Sequence, residues 1–205
     1  MILKDHSILV VGSRGNMGKR YCSILGNLGV KFHGVDIWPH CDLEYPMDEV
    51  TGIIIATPTA DHEVNIRSYS HWEVPILCEK PFSKNLVEVE KMIGTKAKVR
   101  MINQYEYFTL KQNSKGTSYY DYFKTGTDSL AWDCINIIGL AEEMPVLKNI
   151  SPIWSCWING NEIDLRLMDH AYVWNVESWL EGYVENSGYI MSAHEKVVKY
   201  LEVNP

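Results

Sequence analysis

The chain has 205 residues, a net charge of −7 and no run of basic residues, so nucleic acid is not an expected partner. With 46% hydrophobic and 22% charged residues, it has the composition of a globular protein with a substantial core. No segment approaches about eighteen uninterrupted apolar residues, and the N-terminus loses its apolar character too early for a signal peptide, so we expect no membrane association and a cytoplasmic location.

The cysteines and histidines do not suggest a disulfide framework or a metal site. The five cysteines are scattered without a C-x-x-C pair, and the seven histidines show no H-x-x-H spacing. An odd number of scattered cysteines is typical of reduced thiols inside the cell. We therefore predict free cysteines and no metal ligands.

A glycine-rich turn follows the first apolar segment. Residues 8–11 are Ile-Leu-Val-Val, and residues 12–18 read Gly-Ser-Arg-Gly-Asn-Met-Gly. A buried strand, a glycine turn and a helix start can hold a dinucleotide pyrophosphate, because glycine permits close approach and the helix N–H groups face the negative charge. The spacing G-x-x-G-x-x-G departs from the usual G-x-G-x-x-G, so an ordinary glycine loop is the alternative.

The segment after this turn is predicted to be a helix that leads to a second strand. Gly29 stands where a helix C-cap belongs, and the apolar residues 30–35 are followed by Asp36. An acidic side chain at this strand end is placed to accept hydrogen bonds from the adenosine ribose. The buried face of the helix is predicted to contain Met17, Tyr21, Ile24, Leu25 and Leu28.

Strand-like and helix-like segments alternate up to residue 103, as in a parallel sheet with crossover helices. We predict strands at 52–56, 75–78 and 98–103 and a helix over 61–70. Ser83 is the predicted N-cap of a further helix that stops at Gly94. Residues 1–103 are therefore predicted to form an α/β domain with a Rossmann-type, doubly wound parallel sheet.

The composition changes after residue 104 and becomes rich in tyrosine and tryptophan. A helix is predicted over 130–140, and Asn159-Gly160 between two alternating runs predicts a hairpin. Residues 172–180 are compatible with helix or strand. Ser192 to Glu195 read as a capping box that opens a final helix. Residues 104–205 are predicted to form a small α+β domain with a mainly antiparallel sheet.

Two short motifs resemble the glucose–fructose oxidoreductase/inositol dehydrogenase (Gfo/Idh/MocA) family. Thr57-Pro58 follows one predicted strand, with His62 nearby, and Glu79-Lys80-Pro81 ends a later strand. The resemblance covers residues 5–110 well and the remainder loosely. It implies an NAD(P)-binding domain followed by a truncated substrate and dimerisation domain over 104–205, a small-molecule substrate and a homodimer.

The resemblance also implies roles for individual residues. Lys80 and Glu79 would lie beside the nicotinamide as the catalytic pair, with Lys80 donating a proton or orienting the substrate. A surface ion pair of Glu79 and Lys80 is the alternative. Asp36 favours NAD because a carboxylate repels a ribose 2′-phosphate, whereas Arg14 leaves NADP open. The predicted cofactor-binding residues are Gly12, Ser13, Arg14, Gly15, Asn16, Met17, Asp36, Thr57, Pro58, His62, Glu79 and Lys80.

The second half departs from the family pattern. Family dehydrogenases carry an Asp-x-x-x-His motif there, but Asp133 is followed by Ile137 at the position of that histidine, and Asn136 does not exchange protons at neutral pH. Tyr105 and Asp133 are candidates for substrate contact. Asp169-His170 is either a displaced acid/base pair or an ordinary polar contact.

The leading hypothesis is an NAD(P)-dependent oxidoreductase that moves a hydride between nicotinamide and a small carbonyl, imine or conjugated substrate. Loss of the expected histidine favours a reductase. One alternative is a non-catalytic dinucleotide-binding sensor or scaffold. Another is an enzyme similar to dihydrodipicolinate reductase, because the G-x-x-G-x-Met-G loop also resembles that of this enzyme.

Overall fold

The computed structural model describes residues 3–37, 47–107, 119–121, 131–141, 146–148, 155–158, 161–164, 168–182 and 185–203. The chain divides into two compact units. The first unit comprises Met1–Ile102 and Val176–Ser187, and the second comprises Asn103–Asn175 and Gly188–Pro205. The division predicted from the sequence, at residue 103, does not include this return of the chain to the first unit.

The first unit contains a five-stranded parallel sheet, as the sequence predicts. Its order is β2-β1-β3-β4-β5, and every neighbouring pair is parallel. Strands β1, β3 and β4 are buried along their whole length, because near-continuous apolar runs suit a sheet that is covered on both faces. The strands are β1 (Ser7–Val11), β2 (Lys31–Val35), β3 (Gly52–Ile55), β4 (Ile76–Cys78) and β5 (Val99–Met101).

Three α-helices accompany this sheet: α1 (Asn16–Leu28), α2 (His62–Tyr69) and α3 (Leu86–Ile93). Helix α1 buries Tyr21, Ile24 and Leu25 of its predicted face, whereas Met17 and Leu28 are half-buried. The helix ends at Gly29 in the left-handed conformation, with φ of 70°, so its predicted C-cap is confirmed. Short 3-10 turns cover Leu3–Asp5, Met47–Glu49, Thr59–Asp61 and Ser70–Trp72.

The predicted N-cap of α3 is wrong. Asn85 caps this helix, because its side chain accepts a hydrogen bond from the Val87 N–H at 2.9 Å. Ser83 lies two residues earlier, where its hydroxyl oxygen accepts from the Asn85 N–H at 3.0 Å. The serine therefore supports the capping residue instead of capping the helix itself.

A side chain from Val176–Ser187, the second segment of the first unit, forms hydrogen bonds with the edge strand β5. The Asn186 amide oxygen accepts from the Met101 N–H at 2.9 Å, and the amide nitrogen donates to the Met101 carbonyl at 3.0 Å. Both backbone groups of Met101 on the free side of β5 are thereby satisfied. Trp179 of the same segment packs on Gly52, where an added Cβ would lie 2.8 Å from the indole ring.

The second unit contains a four-stranded sheet of order β7-β6-β8-β9. Its strands are β6 (Tyr119–Asp121), β7 (Val146–Lys148), β8 (Ser155–Ile158) and β9 (Asn161–Asp164). The β6–β7 pair is parallel, and the β6–β8 and β8–β9 pairs are antiparallel. Ile158 pairs with Asn161, so two residues join β8 to β9 as the hairpin pattern predicts. Those two residues, 159 and 160, lie outside the described part of the chain.

The remaining helices are α4 (Ile135–Leu140), α5 (Met168–Glu181) and α6 (Ser187–Val203), and residues 131–133 are also helical. Residues 172–180 therefore belong to a helix. The predicted capping box at Ser192 is wrong, since this serine lies inside α6. Ile190 already belongs to the buried stripe of α6, so the helix begins before the capping pattern. His194 is fully buried there, and its Nδ1 lies 2.6 Å from the Ile190 carbonyl.

Candidate functional site

A cavity of about 690 Å³ opens at the carboxyl ends of β1, β2 and β3. In the sheet order β2-β1-β3-β4-β5, the connection after β1 leads to β2 on one side, whereas the connection after β3 leads to β4 on the other side. Open α/β sheets bind ligands in the crevice at such a switch point. Six predicted cofactor residues line this cavity: Gly12, Arg14, Gly15, Asp36, Thr57 and Pro58. Ser13, Asn16, Met17, His62, Glu79 and Lys80 are not among the described residues that line it.

The glycine turn forms one wall of the cavity, and its conformation requires residues that have no Cβ. Gly12 has φ of 81°, and a Cβ there would lie 2.8 Å from the Ala56 carbonyl oxygen. A Cβ at Gly18 would lie 2.0 Å from the Gly12 carbonyl oxygen. The Gly12 and Ser13 N–H groups both donate to the Val35 carbonyl, at 2.8 and 3.0 Å, which fixes the turn against the end of β2.

The N-terminus of α1 faces this wall without a side-chain cap. Gly15 is the N-cap residue, no side chain accepts a hydrogen bond there, and the first turn contains no acidic residue. The first N–H groups of a helix lack intrahelical acceptors and carry partial positive charge. An anionic ligand group, such as a pyrophosphate, therefore fits this position.

Asp36 is fixed at the cavity wall by two backbone donors. Its Oδ2 accepts from the Arg14 N–H at 2.9 Å, and its Oδ1 accepts from the Ile37 N–H at 2.8 Å. A carboxylate oxygen can accept more than one hydrogen bond, so both oxygens can also receive ligand hydroxyls. Ile37 and Val64, which are 96% and 60% exposed, line the same cavity and offer apolar contacts for a flat ring.

The Thr57-Pro58 turn lines the cavity, but His62 lies behind it. The His62 ring is 1% exposed; its Nε2 lies 3.0 Å from the Thr57 carbonyl oxygen, and its Nδ1 lies 3.0 and 3.1 Å from the Pro81 and Phe82 carbonyl oxygens. Burial lowers the pKa of His62 from its ordinary value, although the carbonyls and Glu79 oppose this shift. The imidazole thus lies between two loops of the first unit, and in its neutral form it has one N–H to donate to one of them.

Glu79 and Lys80 follow the last residue of β4. Glu79 is 6% exposed, so the alternative of a surface ion pair does not describe it. Its Oε1 accepts from the Tyr21 hydroxyl at 2.6 Å, and its Oε2 accepts from the Lys80 N–H at 3.0 Å. Lys80 is half-buried, and the peptide bond between Lys80 and Pro81 is cis.

Two polar residues around this site, Tyr21 and Asn65, were not predicted from the sequence. Tyr21 was assigned only to the buried face of α1, yet its hydroxyl contacts Glu79, 58 residues later in the chain. Asn65 lines the cavity, and its amide donates to the Thr57 hydroxyl at 3.3 Å and to the Asp61 carbonyl at 2.8 Å. A tyrosine among aliphatic core positions was the available signal for Tyr21, whereas nothing local indicates its partner.

The second unit places its candidate residues in different environments. Tyr105 is 5% exposed, Asp133 is half-buried, and Asp169 and His170 are exposed on the first turn of α5. Exposure of both members of the Asp169-His170 pair suits an ordinary polar contact.

Asn136, beside the position of the missing histidine, lies in a buried hydrogen-bond network of the second unit. Its amide nitrogen donates to Gln104 Oε1 at 3.0 Å, and its oxygen accepts from the Tyr189 hydroxyl at 3.0 Å. Burial, with a smaller contribution from Glu106, raises the pKa of Tyr189 well above its ordinary value. The Tyr189 hydroxyl is thus the donor and the Asn136 oxygen the acceptor in this contact.

Among the described residues, no group of three or more His, Cys, Asp and Glu side chains could hold a metal ion. No helix in the described part of the chain has the length and apolar character needed to cross a membrane. Cys22, Cys78 and Cys134 are free thiols.

A parallel sheet, a glycine turn at its switch point, an uncapped helix start and an acidic residue after β2 define the Rossmann class of dinucleotide-binding folds. No protein-family model matches the sequence, and no curated protein matches it either. Solved structures with the same fold do exist.

The chain is similar to a Gfo/Idh/MocA family oxidoreductase from Vibrio cholerae, with 12% identity, 98% and 100% of the two chains covered and a TM-score of 0.69. For a myo-inositol dehydrogenase from Corynebacterium glutamicum, the identity is 12%, the coverage 96% of each chain and the TM-score 0.66. For the WlbA (WbpB) dehydrogenase from Thermus thermophilus, in complex with NAD and UDP-GlcNAcA, the identity is 15% and the TM-score 0.64, with 95% of this chain and 94% of that chain covered. The predicted resemblance is therefore confirmed at the level of the fold.

Proposed function

We propose that this protein is an NAD(P)-dependent oxidoreductase that works as a reductase on a small carbonyl, imine or conjugated substrate. The observation that carries the proposal is the cavity at the switch point, where the glycine turn, the uncapped start of α1 and Asp36 meet. The similar structures support it, because the WlbA dehydrogenase from Thermus thermophilus was solved in complex with NAD.

The cofactor would be held by the residues around this cavity. The glycine turn and the start of α1 suit the pyrophosphate, Asp36 suits the ribose hydroxyls, and Ile37 with Val64 suits the adenine ring. The position of Asp36 favours NAD, because its negative charge is fixed where a 2′-phosphate would lie. Arg14 is the residue that could accommodate NADP.

Lys80 is the proposed catalytic residue for proton transfer. A nicotinamide cofactor, when bound, would supply the hydride for the carbonyl carbon. The Lys80 ammonium donates a proton to the carbonyl oxygen, which becomes the product hydroxyl, and solvent then reprotonates the amine. Tyr105 and Asp133 of the second unit remain candidates for substrate contact. We also propose that the protein forms a homodimer.

A titration with NADH and NADPH, followed by energy transfer from tryptophan to bound nicotinamide, tests the proposal. We expect saturable micromolar binding with preference for NADH, and Asp36→Ser should reduce that preference. With a carbonyl substrate found by screening, Lys80→Met should lower kcat at least about a hundredfold while NADH affinity stays unchanged. Lys84→Met, at an exposed position four residues later, is the matched control. Absence of binding to both cofactors by the folded protein contradicts the proposal.

The buried network around Asn136 favours one second candidate, a non-catalytic dinucleotide-binding sensor. Asn136 lies next to the position where the acid/base histidine is expected, and its side-chain amide is hydrogen-bonded to Gln104 and Tyr189. This second candidate is supported if the protein binds NADH but turns over no carbonyl compound, and if Lys80→Met leaves the affinity for NADH unchanged.

A further inference from the structure

The backbone around Lys80 is fixed on its N-terminal side by a buried carboxylate. Glu79 divides its two oxygens between the Tyr21 hydroxyl at 2.6 Å and the Lys80 N–H at 3.0 Å. Its own N–H donates to the Ile55 carbonyl at 2.9 Å. Glu79 therefore links α1, the end of β3 and the backbone of Lys80.

The backbone is fixed on its C-terminal side by a buried imidazole. The His62 Nδ1 lies within 3.1 Å of the Pro81 and Phe82 carbonyl oxygens, and Nε2 lies 3.0 Å from the Thr57 carbonyl oxygen. Thr57 lines the cavity, so the His62 ring lies between the cavity wall and the residues directly after Lys80, and as a neutral imidazole it donates its single N–H to one of these two sides.

The Tyr21 hydroxyl has a role beyond filling the core. Its ring is completely buried on a helix face that otherwise carries Ile24 and Leu25, where phenylalanine would fill the same space. A buried carboxylate requires hydrogen-bond donors, and the hydroxyl supplies one to Glu79. The same helix begins at the glycine turn, so one rigid element connects the proposed pyrophosphate site to Lys80.

We propose that Tyr21 and His62 are positioning residues for Lys80, which act through Glu79 and Pro81. Neither residue lines the cavity, and both hold the Lys80 backbone in the orientation that proton transfer requires. This inference rests on the proposed function of Lys80. Small displacements of a reacting group lower rates steeply, so loss of either contact lowers turnover while cofactor binding persists.

The catalytic test compares Tyr21→Phe with Tyr200→Phe, a matched control that also removes the hydroxyl of a buried tyrosine, here 4% exposed in α6. With the best carbonyl substrate from the screen, Tyr21→Phe is expected to lower kcat roughly tenfold to a hundredfold and to leave the Kd of NADH within about twofold. In a Lys80→Met background it should cause no further loss. An equal loss in both backgrounds, or a parallel loss of NADH affinity, contradicts the positioning role.

A second readout does not depend on turnover. The Lys80 N–H donates to Glu79, so its hydrogen exchange should become about tenfold faster in Tyr21→Phe and remain unchanged in Tyr200→Phe. Unchanged exchange in Tyr21→Phe overturns the inference. If wild-type protein does not bind NADH, the proposed function fails, and exchange alone decides whether Tyr21 holds Lys80. Should Tyr21→Phe not fold, His62→Gln tests the same inference from the other side.

Discussion

At the scale of single residues, the glycines of α1 show how one missing atom shapes the cavity wall. Gly18 and Gly26 lie on the same helix, but only Gly18 faces the backbone of the turn. A Cβ at Gly26 would meet only the Phe32 ring, at an ordinary contact distance of 3.8 Å. The two positions therefore separate a glycine required by packing from one that is replaceable.

Gly18→Ala is expected to lower the free energy of unfolding by about 1–3 kcal/mol and to weaken NADH binding, because the turn must move away from the new methyl group. Gly26→Ala is expected to raise the free energy of unfolding by about 0.5–1 kcal/mol, because alanine has the higher helix propensity. Urea denaturation of the two variants checks this opposite effect. Equal changes in the two variants would show that the Gly18 contact is relieved at little cost.

His62 gives the stability of the protein a predictable dependence on pH. Because burial lowers the pKa of His62 in the folded protein, the unfolded chain binds a proton first as the pH falls below about 6.5. The contribution of neutral His62 is therefore complete above about pH 6.5 and is lost progressively between that pH and its lowered folded-state pKa. The nearby Glu79 carboxylate opposes the lowering of the His62 pKa and so reduces this dependence on pH.

We expect His62→Gln to reduce the loss of unfolding free energy between about pH 8 and pH 5, compared with wild type. His71→Gln, at an exposed histidine of the same unit, serves as the control and should follow the wild-type curve. Denaturant titrations across this range provide the measurement. A wild-type curve parallel to that of His62→Gln would rule out His62 as the titrating group.

Residue roles were predictable where the chemistry is local. Asp36 follows directly from its place after an apolar strand, and the structure puts it at the cavity wall. The partners of Tyr21 and His62 were not predictable, because Glu79 and Pro81 are distant in the chain and meet them only through the fold. Periodicity assigns a side chain to a face but does not identify its hydrogen-bond partner.

At the scale of elements, local patterns identified helices better than they identified helix ends. The sequence places α3 correctly but assigns its cap to Ser83, since serine and asparagine are both good N-caps and lie two residues apart. The start of α6 was missed because its buried stripe outweighs the Ser-x-x-Glu pattern at Ser192. The β8–β9 hairpin was predicted because its Asn-Gly signal is contained in two residues.

Asn85→Ala is expected to lower the free energy of unfolding by about 1 kcal/mol, because the Val87 N–H loses its acceptor. Asn85→Gly should cost only a few tenths of a kcal/mol, because glycine is itself tolerated at the N-cap. Asn27→Ala, at an exposed position within α1, is the control. Thermal and urea unfolding check the order, and equal stabilities of the alanine and glycine variants would contradict it.

At the scale of the whole molecule, the parallel sheet was predictable, but the path of the chain was not. Alternating strand-like and helix-like segments are typical of an α/β sheet, and the five-stranded sheet agrees with this pattern. The return of Val176–Ser187 to the first unit depends on contacts such as Trp179 on Gly52, which bring together distant parts of the sequence. Local periodicity contains no information about such contacts.

Binding of the proposed cofactor should stabilise the folded protein as a whole. At an NADH concentration a hundredfold above Kd, we expect an increase of about 2.7 kcal/mol in the free energy of unfolding. Thermal shift measurements across an NADH series test this, with Asp36→Ser as the variant whose shift should be smaller at equal concentration. A shift that does not grow with NADH concentration would contradict specific binding.

The contact of Asn186 with Met101 has a consequence for self-assembly. An open strand edge is a template on which a strand of another molecule can pair, and repeated addition produces fibrils. One amide occupies both hydrogen-bonding groups of Met101 and so interrupts the template at that residue. This side chain thus leaves Met101 without a free backbone group with which a strand of another molecule could pair.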